Sequence, residues 1–158
     1  MIIGAQSVKN TDTAALKGYD GGKKVSGIKR HIAVDSQGLP HAVAATTAEA
    51  MDRKGALQAL ERCKPSLSRV QSLLCDAGYV GKPFAQQAQE IVGTDVMVQI
   101  AKRSELHTFK VMPKRWIVER SFAWLEKNRR LWKNCERLLT TNRQFVHLAF
   151  LVLLLRRL

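Results

Sequence analysis

The chain has no Cys-x-x-Cys pair, and its three cysteines, Cys63, Cys75 and Cys135, are odd in number and far apart. That excludes a fully paired disulfide framework and fits reduced thiols in a cytosol, or small apolar residues in a core. His31, His41, His107 and His147 are scattered without metal-ligand spacing, so no zinc site is assigned. A signal-peptide pattern is absent, because Met1, Ile2 and Ile3 lead directly into polar residues. The apolar run Leu148 to Leu155 falls well short of the roughly 18 to 20 residues that cross a bilayer, and reads instead as a helix docked on a core. The expected location is cytoplasmic, with no membrane partner. Acidic residues are scarce, 13 against 26 Lys and Arg, giving a net charge of +13 and a pI near 10.2. Such a field attracts polyanions, which makes nucleic acid the leading partner and leaves a ribosome-associated protein as the plainer alternative.

Repeats, low-complexity tracts and linkers rich in Pro, Gly or Ser are also missing, and 158 residues suit one domain with its own core. What is present reads as strands first, then alternating helix and strand, then helices. Ile2 and Ile3 read as part of a strand. Gly18, Gly21, Gly22 and Gly27 interleave with Lys17, Lys23, Lys24, Lys29 and Arg30 as a basic loop or ribbon, either a DNA-tracking element or a solvated hairpin. His31–Asp35 and Leu39–Ala45 form a hairpin around Ser36, Gln37 and Gly38. Asp52 is placed to cap a helix with Ala56, Leu57, Ala59 and Leu60 on one face, ending before Pro65. Strands are expected over Val70–Cys75 and Val96–Ala101, with a helix from Pro83 to Val92 between them. Lys102–Val111 reads as loop, Pro113–Arg130 as a long helix, and Thr141 with Gln144 as the capping-box start of the last helix. This order predicts an α/β fold, a mixed sheet covered by helices.

Two carboxylates carry the chemical reading. Asp76 follows an apolar strand, and ligands gather at the carboxyl ends of strands in open α/β sheets; a turn-forming role is the alternative. At about 100° per residue, Ile117, Val118, Ser121, Phe122, Trp124 and Leu125 share one arc, and Glu119 lies just outside it beside Phe122. That edge can point Glu119 into a cleft, or leave it paired with Arg115 on the surface. Two carboxylates that gather divalent cations suit phosphodiester chemistry, and Mg²⁺ favours such hard oxygen ligands. Arg115, Arg120, Arg129 and Arg130 are candidate phosphate clamps.

The segments Gln6-Ser7-Val8-Lys9, Gly18-Tyr19-Asp20, Lys29-Arg30-His31-Ile32, Leu74-Cys75-Asp76-Ala77-Gly78-Tyr79 and Arg115 through Leu125 resemble the DDE transposases of bacterial insertion sequences, specifically the insertion-sequence-five group. The resemblance covers essentially the whole chain. It implies a single ribonuclease H-like catalytic domain over residues 1–158, with three antiparallel strands, then parallel ones, and without the N-terminal segment that reads element ends. It also implies three carboxylates holding two Mg²⁺ (or Mn²⁺) ions to cut element ends and join them to target DNA, in a protein that self-associates or joins a full-length transposase. Asp76 and Glu119 match the second and third catalytic acids and metal ligands; Lys23, Lys24, Lys29, Arg30, Arg115, Arg120, Lys127 and Arg130 are the expected DNA contacts, with Lys127 or Arg130 matching the basic residue after the Glu. Asp52 resembles a recurrent structural acid. Where the first catalytic Asp should stand, the chain has Gly4. Asp35 is rejected as its replacement because it closes the antiparallel strand at the opposite pole, and Asp12 would have to move inward. The chain alone is therefore expected to be nearly inactive, and Gly4→Asp to restore metal-dependent nicking; a non-catalytic DNA-binding remnant or transposase inhibitor is the alternative.

Overall fold

The structure, a computed structural model, describes residues 1–100 and 114–156. The strands are β1 (Ile2–Lys9), β2 (Gly18–Asp20), β3 (Val25–Val34), β4 (Pro40–Thr47), β5 (Ser72–Cys75) and β6 (Met97–Ile100); the helices are α1 (Asp52–Cys63), α2 (Lys82–Val92), α3 (Arg115–Glu126), α4 (Arg129–Trp132) and α5 (Leu139–Leu155). All of these described strands join one sheet. β3 pairs antiparallel with β1 on one edge and with both β2 and β4 on the other, while β5 runs parallel to β1 and β6 parallel to β5.

Alternation along the strands builds two cores. Ile3, Ala33, Ala42, Ala44, Leu73 and Cys75 face α1 and α2, where they meet Ala56, Ala59, Leu60, Phe84 and Ala88. Ile2, Ile32, Val34 and Val43 face the other way, onto Ile117, Val118, Phe122 and Leu125 of α3, Leu131 of α4, and Val146 and Phe150 of α5. Helices on both faces leave the central strands without a solvated side, so β3 is buried from Gly27 to Val34. Its charged residues are buried with the rest. His31 faces α1 so closely that a Cβ on Gly55 would overlap its ring, and its Nε2 lies 2.9 Å from Thr46 Oγ1. Burial lowers the His31 pKa to about 4 despite nearby Asp52, so the ring is neutral at pH 7.

Several boundaries differ from the sequence expectation. Asp52 is the first residue of α1 and gives no cap bond; its carboxylate turns to Lys29 instead, and Met51 is the N-cap. The expected long helix stops at Glu126, where the Asn128 side chain donates to the carbonyls of Trp124 and Leu125 and takes over the helix end. The last helix begins at Leu139 without a side-chain cap, so Thr141 and Gln144 lie inside it. Its start is held by Asn142, whose buried amide accepts from Arg30 Nε and donates to Asn134. Strand β5 is shorter than Val70–Cys75, and the Gly93 φ of 143° ends α2 as its composition predicts. Lys102–Val111, Pro113 and Ala101 lie outside the described residues.

Of the thiols, Cys75 is buried while Cys63 and Cys135 are half-buried. Burial, reinforced by Asp76, pushes the Cys75 thiol up to about 12. Iodoacetamide labelling at pH 8 followed by mass spectrometry is expected to modify Cys63 and Cys135 in the folded protein and Cys75 only after unfolding. Equal labelling of all three would contradict the packing of β5.

Candidate active site

A cavity of about 220 Å³ opens where β1, β5 and α3 converge, lined by Gly4, Ala5, Lys23, Asp52, Asp76, Arg115, Val118, Glu119 and Phe122 among others. Strand register explains this grouping. Ile2 lies beside Leu74 in the parallel β1–β5 pair, so two residues further on Gly4 comes level with Asp76. Leu73 and Cys75 face α1 and α2, and alternation turns Asp76 toward α3. The Asp76 side chain accepts from the Gly78 backbone N–H at 2.8 Å, which fixes the turn after β5.

From α3, Glu119 reaches the same cavity. The structure brings the two expected acids onto one guanidinium: Arg115 Nε lies 3.2 Å from Glu119 Oε1, and Arg115 Nη2 lies 3.8 Å from Asp76 Oδ2. Both carboxylates therefore occupy the same side of the sheet. A second hollow of about 350 Å³ continues the cleft along β1 and α3, between Gln6, Lys23, Glu119 and Glu126.

Among the described residues, no third acid completes this arrangement. Asp35 sits in the β3–β4 turn, accepting from the Gln37 and Leu39 backbone N–H groups and contacting His41, at the end of the sheet away from the cavity. Asp12 borders a different groove. Asp52 does line the cavity, but Lys29 Nζ holds it at 2.9 Å. Among the described residues no cluster of three or more His, Cys, Asp and Glu side chains is disposed to hold a metal ion. The described residues do not fit a two-ion centre.

The expected DNA contacts divide. Lys23 lines the cavity and donates to the Ala5 carbonyl at 3.0 Å, Lys24 is exposed at the hairpin tip with φ 54°, and Lys127 is exposed at the end of α3. Lys29 and Arg30 are only 5% and 0% exposed and are withdrawn from the DNA surface. Lys29 lies between Asp20 at 3.2 Å and Asp52 at 2.9 Å and donates to the Ala50 carbonyl, while Ser7 donates to Asp20 at 2.6 Å. Three of the resembling segments thus meet in one internal network that positions Asp52. Arg30 donates to the Leu131 carbonyl and to Asn142, and burial pulls its pKa down to about 10.

Arg120 is also diverted. Its guanidinium lies 4.6 Å from the Trp116 ring and 4.8 Å from the Trp124 ring, and donates to the Gln37 carbonyl, clamping the β3–β4 turn to α3. Arg130 donates to Glu136 at 2.7 Å and covers Phe145, while Arg115 holds the acid pair. What sequence reasoning missed is a groove of about 680 Å³ past the end of β1, lined by Lys9, Lys17, Lys24, Asn10, Asp12 and Tyr19. Its three lysines and Tyr19, 58% exposed, offer charge and one stacking surface. The only sequence signal was the set of lysines flanking Gly18-Tyr19-Asp20.

No helix among the described residues is long and apolar enough to cross a membrane. Residues 1–155 match the family described as Transposase DDE domain. A Burkholderia cepacia protein, provisionally named as the transposase for insertion sequence element IS402, is 31% identical over 134 residues, which make up 80% of this chain and 60% of that protein. The chain thus spans about 60% of the length of the relative it matches. Members of the family generally depend on a divalent metal. On a match that takes in both acids, Gly4 and the strands and helix around them, the chain belongs to the transposase DDE domain family.

Proposed function

We propose that this chain is the ribonuclease H-like domain of an insertion-sequence transposase of the insertion-sequence-five group, and that it binds DNA but does not cut it on its own. The sheet order β4-β3-β1-β5-β6, with β1, β3 and β4 antiparallel and β1, β5 and β6 parallel, supports the fold reading. One observation carries the loss of cutting: Gly4 stands level with Asp76 and under α3, where a third carboxylate would complete the pair. In a full-length transposase, cutting element ends and joining them to target DNA requires that third oxygen ligand. Losing a direct ligand of such a centre removes several kcal/mol of transition-state stabilisation. The basic groove and the cleft lysine remain, which favours a DNA-binding role in the bacterial cytoplasm, as a self-associating protein or as a competitor of a full-length transposase.

The test is a gel assay on DNA carrying insertion-element ends with Mg²⁺ or Mn²⁺. The expected result is binding with no nicking or strand transfer above that of an Asp76→Asn/Glu119→Gln variant. Addition to an active homologous transposase should reduce its strand transfer. Metal-dependent cleavage by the unaltered chain that disappears in the double variant would overturn the reading.

A further inference from the structure

We infer that the acid cleft is closed by this chain's own residues: Val118 fills the room that a side chain at residue 4 would need, and Arg115 stands as the resident cation between Asp76 and Glu119. The inference rests on the reading above only for its meaning, since its geometry is independent of DNA and of any reaction. A Cβ placed on Gly4 would lie 2.7 Å from Val118 Cγ2, 3.2 Å from Val118 Cγ1 and 3.2 Å from Phe122 Cε2. The first distance is shorter than real Cβ atoms tolerate, so something must shift.

The neighbours have little freedom to move. Val118 and Phe122 are 4% and 8% exposed and are packed in the core that also holds Ile2, Ile32 and Leu125. Valine in a helix keeps essentially one χ1 rotamer, so its methyls cannot swing aside. Relief requires the β1 and α3 backbones to move apart. Glu119 follows Val118 directly, and the same displacement moves the surviving helix carboxylate away from Asp76. Absence of the aspartate and the seating of α3 are therefore coupled, and Gly4→Asp alone does not rebuild the site. This inference departs from the expectation that one reversion is enough.

Arg115 acts second. Its guanidinium is always charged and contacts both acids at once, so it neutralises the pair that a divalent ion would have to win. Its side chain is 47% exposed, which limits its effect to a few-fold in affinity. Val118 is the principal barrier.

A double-mutant cycle tests the steric half. Gly4→Ala should lower the folding equilibrium constant at least about fivefold, read from urea denaturation. The same change in a Val118→Ala background should cost clearly less. Mn²⁺ binding, followed by electron paramagnetic resonance without DNA, tests the other half. The unaltered chain and Gly4→Asp should bind weakly or not at all. Gly4→Asp/Val118→Ala should bind at least tenfold more tightly, and adding Arg115→Gln should strengthen binding a further few-fold. Gly4→Ala as stable as the unaltered chain, Gly4→Asp binding Mn²⁺ as tightly as the double variant, or a folded double variant that binds none would each overturn the inference. None of these measurements involves cutting, so the proposed function stands or falls separately in the gel assay.

Discussion

Replacing Lys29 with methionine is expected to cost about 3–5 kcal/mol of folding free energy at pH 7, because it leaves two carboxylates without their shared cation. The Lys29 side chain is 7% exposed and Asp20 10% exposed, so solvent cannot take the ammonium's place, and the Ala50 carbonyl loses its donor as well. The pH dependence identifies the cause. Burial works against ionisation of Asp20, but Ser7, the Lys23 backbone N–H and Lys29 outweigh it and hold its pKa well below the usual carboxylate range. A depressed acid contributes stability above its ordinary pKa, and that contribution is lost as pH falls through the folded value. Burial likewise opposes the Lys29 charge, yet Asp52 and Asp20 prevail and raise its pKa, so its contribution is present below about 10.5 and is lost only above the folded value. The network is at full strength between about pH 4 and pH 10. In Lys29→Met the buried Asp20 gains by protonation, so the stability gap from the unaltered chain should narrow as pH falls below about 4. Urea melts across pH 3–8 measure this, and Asp20→Asn/Asp52→Asn in the Lys29→Met background should recover much of the loss. A loss under about 1 kcal/mol, or a gap independent of pH, would mean that Lys29 is not the internal counter-ion.

DNA affinity should fall about a thousandfold or more between 50 mM and 200 mM salt. That figure assumes about six phosphates neutralised, each contributing about −0.9 to the slope of log affinity against log salt for duplex DNA. A net charge of +13 supplies the field, and the exposed Lys9, Lys17, Lys23 and Lys24 around the cleft and groove supply the local contacts. Each of Lys9→Gln, Lys17→Gln and Lys24→Gln should reduce the slope by about 1 and weaken binding similarly for different duplex sequences. Lys29 and Arg30 are not informative in this assay, since they are buried. Fluorescence anisotropy over a salt series gives the slope, and a slope near zero, or one unmoved by all three substitutions, would place the DNA surface elsewhere.

The hairpin of β3 and β4, helices α1 and α2, and the strand before Asp76 were legible because each follows from local periodicity and turn chemistry. So was the placement of Glu119 at the edge of the buried arc of α3, which follows from helix geometry alone. The roles of Lys29 and Arg30 were not. They follow Gly27 in a stretch that reads as an exposed basic ribbon, and only pairing on both edges of β3, with helices on both faces, buries them. Their partners, Asp52 and Asn142, are remote in sequence, so no short-range pattern could reveal them. Arg120 misled for a related reason: a guanidinium beside a cleft looks like a phosphate clamp until Trp116, Trp124 and the Gln37 carbonyl are seen around it. The missing acid was visible as Gly4, but the valine seated over it was not, because that contact joins β1 to a helix more than a hundred residues away.

The amide chain from Arg30 through Asn142 and Asn134 to Asn10 also sets the order in which the molecule can be made. Arg30 is synthesised early, but the side chain and carbonyl that accept from its Nε and Nη1 arrive more than a hundred residues later. On the ribosome the nascent sheet therefore carries a guanidinium without these partners until α4 and α5 emerge, and a chain stopped at Leu138 has the Leu131 carbonyl but never gains Asn142. Cooperative closure waits for the last helix, and such long-range pairing favours slow folding.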